Sequence, residues 1–119
     1  MDELIGTWHA FAEQSVDEIA AQYGDPSRTL VTRVVREGLG DPTPFAFSSA
    51  EEFAKYVVDL RGNERDWSRR LGDTLLKAQE QVDAGNSVEA KGTLRDFRTT
   101  CPWRFLAEIA ETQLQNMGG

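Results

Sequence analysis

Between Asn63 and Met117 apolar residues recur every three or four positions with few breaks, and this periodicity constrains the fold more than any other feature. Trp67, Leu71, Leu75, Ala78 and Val82 share one face of a helix about five turns long. The remaining faces carry Arg65, Asp66, Arg69, Arg70, Asp73, Lys77, Glu80 and Asp83, with Asp66–Arg70 and Asp73–Lys77 as acid-before-base pairs four residues apart. The run from Asp83 to Asn86 reads as a turn. Gly85 supplies a left-handed stop, Asn86 a cap, and Glu89 a carboxylate placed to reach back to it. Val88, Ala90, Leu94 and Phe97 form the next apolar stripe, which Cys101-Pro102 ends. A closing helix follows with Trp103, Leu106, Ile109, Ala110, Leu114 and Met117 facing inward. Short turns between amphipathic helices imply antiparallel neighbours, so this half reads as a helical hairpin plus a closing helix.

The first half continues the pattern. Asp2 or Thr7 can open a helix whose stripe (Leu4, Ile5, Trp8, Ala12, Val16, Ile19, Ala20, Tyr23) runs unbroken to Gly24. Asp25-Pro26 reads as a cap and first-turn proline. Leu30, Val31, Val34 and Val35 come as adjacent pairs four apart. That is helical spacing, although the β-branched content from Thr29 to Arg36 allows a strand, and the helix is expected to end at Gly38. Leu39 to Phe47 is a loop, because Gly40, Pro42 and Pro44 prevent regular structure. Ser49 and Glu52 form an S-x-x-E box ahead of Phe53, Tyr56, Val57 and Leu60, and Gly62-Asn63 separates that helix from the next. The expected fold is all-α, a compact bundle of about six helices in a single domain, residues 1–119.

At 39% apolar and 28% charged residues, the chain has the composition of a globular protein that builds its own core. One cysteine excludes an internal disulfide, and there is no zinc-type Cys/His cluster. No leader and no long apolar run is present, so cytoplasmic residence without a membrane span is expected. The net charge of −7 opposes nucleic-acid binding. The acid is concentrated early. Residues 1–24 hold Asp2, Glu3, Glu13, Asp17 and Glu18 with no Lys or Arg, and residues 41–60 hold Asp41, Glu51, Glu52 and Asp59 against Lys55 alone. Such a surface either suits a basic partner or simply keeps the chain soluble.

Little here points to catalysis. His9, Glu13 and Asp17 are spaced four apart on one predicted helix face, but a single histidine makes a solvated polar face the simpler reading than a metal site. Cys101 stands at a helix start without a nearby base, and Glu51-Glu52 is accounted for by the helix dipole. No phosphate-binding, dinucleotide or serine-nucleophile motif occurs. A non-enzymatic protein without cofactor or metal is expected. Phe45 and Phe47, beside the prolines, are either a lid over the helices or exposed anchors for a partner.

The run C-P-W-R-F-L-A-E-I-A-E-T-Q-L from Cys101 to Leu114, in a short acidic helical chain, resembles the terminal helices of immunity proteins of bacterial toxin and contact-dependent inhibition systems. The tyrosine-rich contact motif of the colicin-nuclease immunity subgroup is absent. The resemblance implies a cytoplasmic bacterial inhibitor that occludes the active site of a cognate, basic toxin. Glu13, Asp17, Glu51, Glu52 and Asp59 are then the expected charge donors, and Phe45 the expected anchor. The rival expectations are a helical adaptor acting through an apolar groove or as a homodimer, and a small ligand-binding protein.

Overall fold

The structure, a computed structural model, describes residues 2–41 and 47–117. It is all-α, with six α-helices and no strand among the described residues: α1 (Asp2–Ala12), α2 (Val16–Ala21), α3 (Asp25–Val34), α4 (Ala50–Asp83), α5 (Ser87–Thr100) and α6 (Arg104–Asn116). A single π turn, Val35–Leu39, extends α3. The contacts fall into two units, Met1–Glu64 and Arg65–Gly119. No helix among the described residues is long and apolar enough to cross a membrane.

In the first unit α1 packs on α3, and Leu4, Trp8, Ile19, Val31, Phe53 and Val57 are buried. The expected single first helix is two. The chain leaves helical geometry after Ala12, and Ser15 starts α2 with a full capping box. Its hydroxyl accepts from the Glu18 N–H at 3.1 Å and its own N–H donates to the Glu18 carboxylate at 3.2 Å. Val16, placed by periodicity in the buried stripe, is 43% exposed as a result. At α3 the cap is Gly24 rather than Asp25, with the Ser27 hydroxyl bonded to both backbone groups of Gly24. Thr29 to Val34 is helical, and the stop is Gly40 (φ 71°) rather than Gly38, which is buried inside the π turn. Phe47 rests edge-on against Phe53 at 5.2 Å and beside Tyr56 at 5.4 Å, the lid arrangement.

The expected break at Gly62-Asn63 does not occur, and α4 runs through it. Gly62 is exposed with open space around it, so its cost is only the ~1 kcal/mol helix penalty of glycine. The buried stripe stays in phase across it, because Glu64 fills the slot between Leu60 and Trp67 and is only 1% exposed.

The second unit is the expected hairpin with its closing helix. α4 ends in a Schellman motif: the Asn86 N–H donates to the Gln81 carbonyl at 2.7 Å and the Gly85 N–H to that of Val82 at 3.0 Å, with Gly85 at φ 82°. Asn86 caps α5 through its backbone, with no side-chain cap bond, so the predicted box with Glu89 is not formed. α5 packs on α6 around Ala78, Ala90, Leu94 and Leu114, and Arg98 pairs with Glu111 across them. Val88 (82% exposed) and Ile109 (41%) lie outside this core, contrary to the stripe reading. Cys101 caps α5 with extended backbone, and Trp103, buried, caps α6.

Candidate functional site

The strongest local chemistry lies in the first unit, around Glu64. A carboxylate this deeply buried is tolerable only with charge-assisted partners, and Glu64 has three. The Trp8 indole N–H donates to Oε1 at 2.8 Å, Arg61 Nη1 donates to the same oxygen at 2.8 Å, and His9 Nε2 lies 2.9 Å from Oε2. Arg61 Nη2 then donates to Glu13 Oε1 at 3.0 Å. Trp8 and His9 come from α1, Arg61 and Glu64 from α4, so the network fastens the two helices together. The chain reaches from a buried carboxylate to an exposed one, Glu13, through a guanidinium that is itself mostly buried.

Of the residues expected to carry binding, only Glu13 is shown to touch this network. Asp17 lies in the first turn of α2, Glu51 and Glu52 in the first turn of α4, and Asp59 two turns further along α4, all exposed. Glu13 is engaged by Arg61. Glu52 is engaged by Ser48, whose N–H and hydroxyl both donate to its carboxylate and hold it below the usual carboxylate range. Asp17, Glu51 and Asp59 take part in no ion pair among the described residues. Phe45 lies outside the described residues. His9, Glu13 and Asp17 do not form one helix face, because the chain breaks between the second and third of them. No group of three potential metal ligands occurs among the described residues.

Charge divides with the units. Met1–Glu64 contains twelve Asp and Glu against five Lys and Arg, which is the whole net charge of −7, whereas Arg65–Gly119 contains eight of each.

Two openings among the described residues lie in the second unit. A groove of about 550 Å³ between α4 and α5 is lined by Trp67, Arg70, Asp73, Lys77, Asp96 and Phe97 together with threonines. Trp67 meets Phe97 edge-on at 5.9 Å, and the Arg70 guanidinium lies over the Trp67 ring at 4.6 Å. Asp66 reaches Arg69 at 3.8 Å, in place of the expected Arg70. A smaller opening of about 240 Å³ is lined chiefly by Leu75, Ala78, Val82, Leu94 and Met117.

Cys101 is buried and donates its thiol to the Trp103 carbonyl at 3.6 Å. Burial pushes the thiol pKa up, opposite to activation by a helix dipole. Iodoacetamide at mildly alkaline pH is therefore expected to alkylate the folded protein at least about tenfold more slowly than the urea-unfolded chain. The contribution of this thiol to stability is complete below its unfolded pKa and is lost as pH rises through the higher folded value. Equal alkylation rates in the two states would contradict the burial.

Sequence reasoning missed Glu64, Trp8 as its donor, and the Ser15 cap. The signals present were a tryptophan on a buried stripe, which needs an acceptor, and a second S-x-x-E at Ser15–Glu18. No family model matches the chain, and no curated protein or solved structure matches it either.

Proposed function

We propose that this chain is an inhibitor-type binding protein whose N-terminal unit docks on the basic surface of a partner protein, in the manner of a toxin-neutralising immunity protein. The observation that carries this reading is the confinement of the net charge to Met1–Glu64. A field of one sign speeds encounter with a basic surface and selects against acidic ones. Asp17, Glu51 and Asp59 are exposed and free of ion pairs among the described residues, so docking costs them no internal partner. Glu13 takes part with its carboxylate held by Arg61, and Glu52 from its cap at Ser48.

The test is capture from cells that make the chain, at low and high salt, by the native protein and by a D17K/E51K/D59K variant. One basic protein is expected, held one-to-one, released by salt and lost to the variant. Its expression alone is expected to arrest growth, and co-expression of the native chain to restore it. Capture that survives both the variant and high salt would refute the reading. The apolar opening at Leu75, Val82 and Met117 favours the adaptor alternative, for which the captured protein resists salt and has no effect on growth.

A further inference from the structure

We infer that the groove between α4 and α5 is a docking site for a second copy of this chain, which inserts the Glu51–Lys55–Asp59 face of its own α4. The two surfaces match in charge. In the groove Arg70, Asp73 and Lys77 present plus, minus, plus along one wall. Glu51, Lys55 and Asp59, at four-residue steps and all exposed, present minus, plus, minus along one helix face.

They also match in length. At the helical rise, Glu51 to Asp59 spans about 12 Å and Arg70 to Lys77 about 10.5 Å, within the reach of flexible side chains. Asp96, on the α5 wall, offers Lys55 a second acceptor. Val58, 36% exposed and three residues from Lys55, borders the inserted face and meets the aromatic floor of Trp67 and Phe97.

The charges are available. Glu51, Lys55, Asp59, Asp73 and Lys77 enter no ion pair among the described residues, although four-residue spacing would let several pair within α4. Arg70 is held over Trp67 by its ring contact, an orientation set before any partner arrives. This inference does not depend on the basic partner proposed above. It adds that self-association covers Glu51 and Asp59, so the copy and the partner compete.

Because plus-minus-plus reads the same from either end, charge alone permits both helix directions, and each makes a distinct prediction. If the helices run antiparallel, Glu51 meets Lys77; if parallel, Glu51 meets Arg70. Exposed ion pairs contribute little singly, so the association is weak and is read at high protein concentration.

The experiment is sedimentation equilibrium of the purified full chain over a concentration series, at about 0.05 M and about 0.5 M salt. Reversible self-association is expected, weakened by salt. E51K and K77E are each expected to weaken it by about tenfold. Charge exchange then restores it: E51K/K77E for the antiparallel contact, or E51K/R70E for the parallel one. Far-ultraviolet circular dichroism of each variant, unchanged, shows that the helices persist. A monomer at every concentration, association indifferent to salt, or failure of both exchanged variants to recover would each overturn the inference. Association abolished by polar substitution of Met117 and untouched by the reversals would place the contact at the apolar opening and overturn it equally.

Discussion

Glu64→Ala is expected to lower the unfolding free energy by about 3–5 kcal/mol, a large share of the total for a chain of this size. Three groups lose a partner together: the buried Trp8 N–H, the Nη1 arm of the mostly buried Arg61 guanidinium and the His9 ring. The cost is chiefly that of leaving the indole N–H and Arg61 Nη1 without an acceptor away from water, rather than of losing the carboxylate itself, since Arg61 Nη2 keeps Glu13. Glu64→Gln keeps an oxygen for Trp8 and Arg61 but loses the charge, so a smaller loss of about 1–3 kcal/mol is expected. Glu51→Ala, on the exposed face of the same helix, is the control and should stay within about 0.5 kcal/mol. Urea titration followed by tryptophan emission reads all three. A change below about 1 kcal/mol for Glu64→Ala would show that the carboxylate is not a structural keystone.

Phe53→Ala is expected to cost a similar amount, about 3–5 kcal/mol, by a different route. The ring is fully buried, with Tyr23 at 4.9 Å, Phe47 at 5.2 Å and Phe11 at 6.3 Å. Alanine leaves a cavity bounded by rings, which are too stiff to collapse into it. Near-ultraviolet circular dichroism should lose intensity as the ring packing loosens, while helical content in the surviving folded fraction stays the same. Phe53→Leu fills most of the volume and should be milder. If alanine and leucine proved equally mild, the ring cluster would not be the organising contact of the first unit.

How far the sequence disclosed this arrangement can be judged from particular residues. Ser49 and Gly85 were legible because each acts through its own backbone geometry or a partner three residues away, whereas the loop expected from Pro42 and Pro44 lies outside the described residues. The π turn that carries α3 past Gly38 to Gly40 has no such local signature. Glu64 was illegible for a related reason. Periodicity counts apolar residues, so a charged side chain in a buried slot looks like a gap, and with Gly62 beside it the gap looked like a helix end. Its burial is set by Trp8, His9 and Arg61, and two of these are more than fifty residues away in sequence. Val88 and Ile109 failed in the opposite sense, being correctly spaced but left exposed among the described residues. For the candidate site, the acidic bias of the front half was visible in composition. Which carboxylates are already engaged, Glu13 and Glu52, and which are not, Asp17, Glu51 and Asp59, depended on tertiary contacts and caps.

The segregation of charge also changes what the isoelectric point means for this molecule. The value of about 4.7 averages two unlike halves. At that pH a minority of the carboxylates is protonated, roughly 10–30%, enough that Arg65–Gly119, neutral near pH 7, turns slightly cationic while the acid-rich half stays negative. Zero net charge is therefore reached with the two units carrying opposite signs, Met1–Glu64 negative and Arg65–Gly119 positive. Oppositely charged units of different copies attract at the pH where overall repulsion vanishes, and a solubility minimum there is expected.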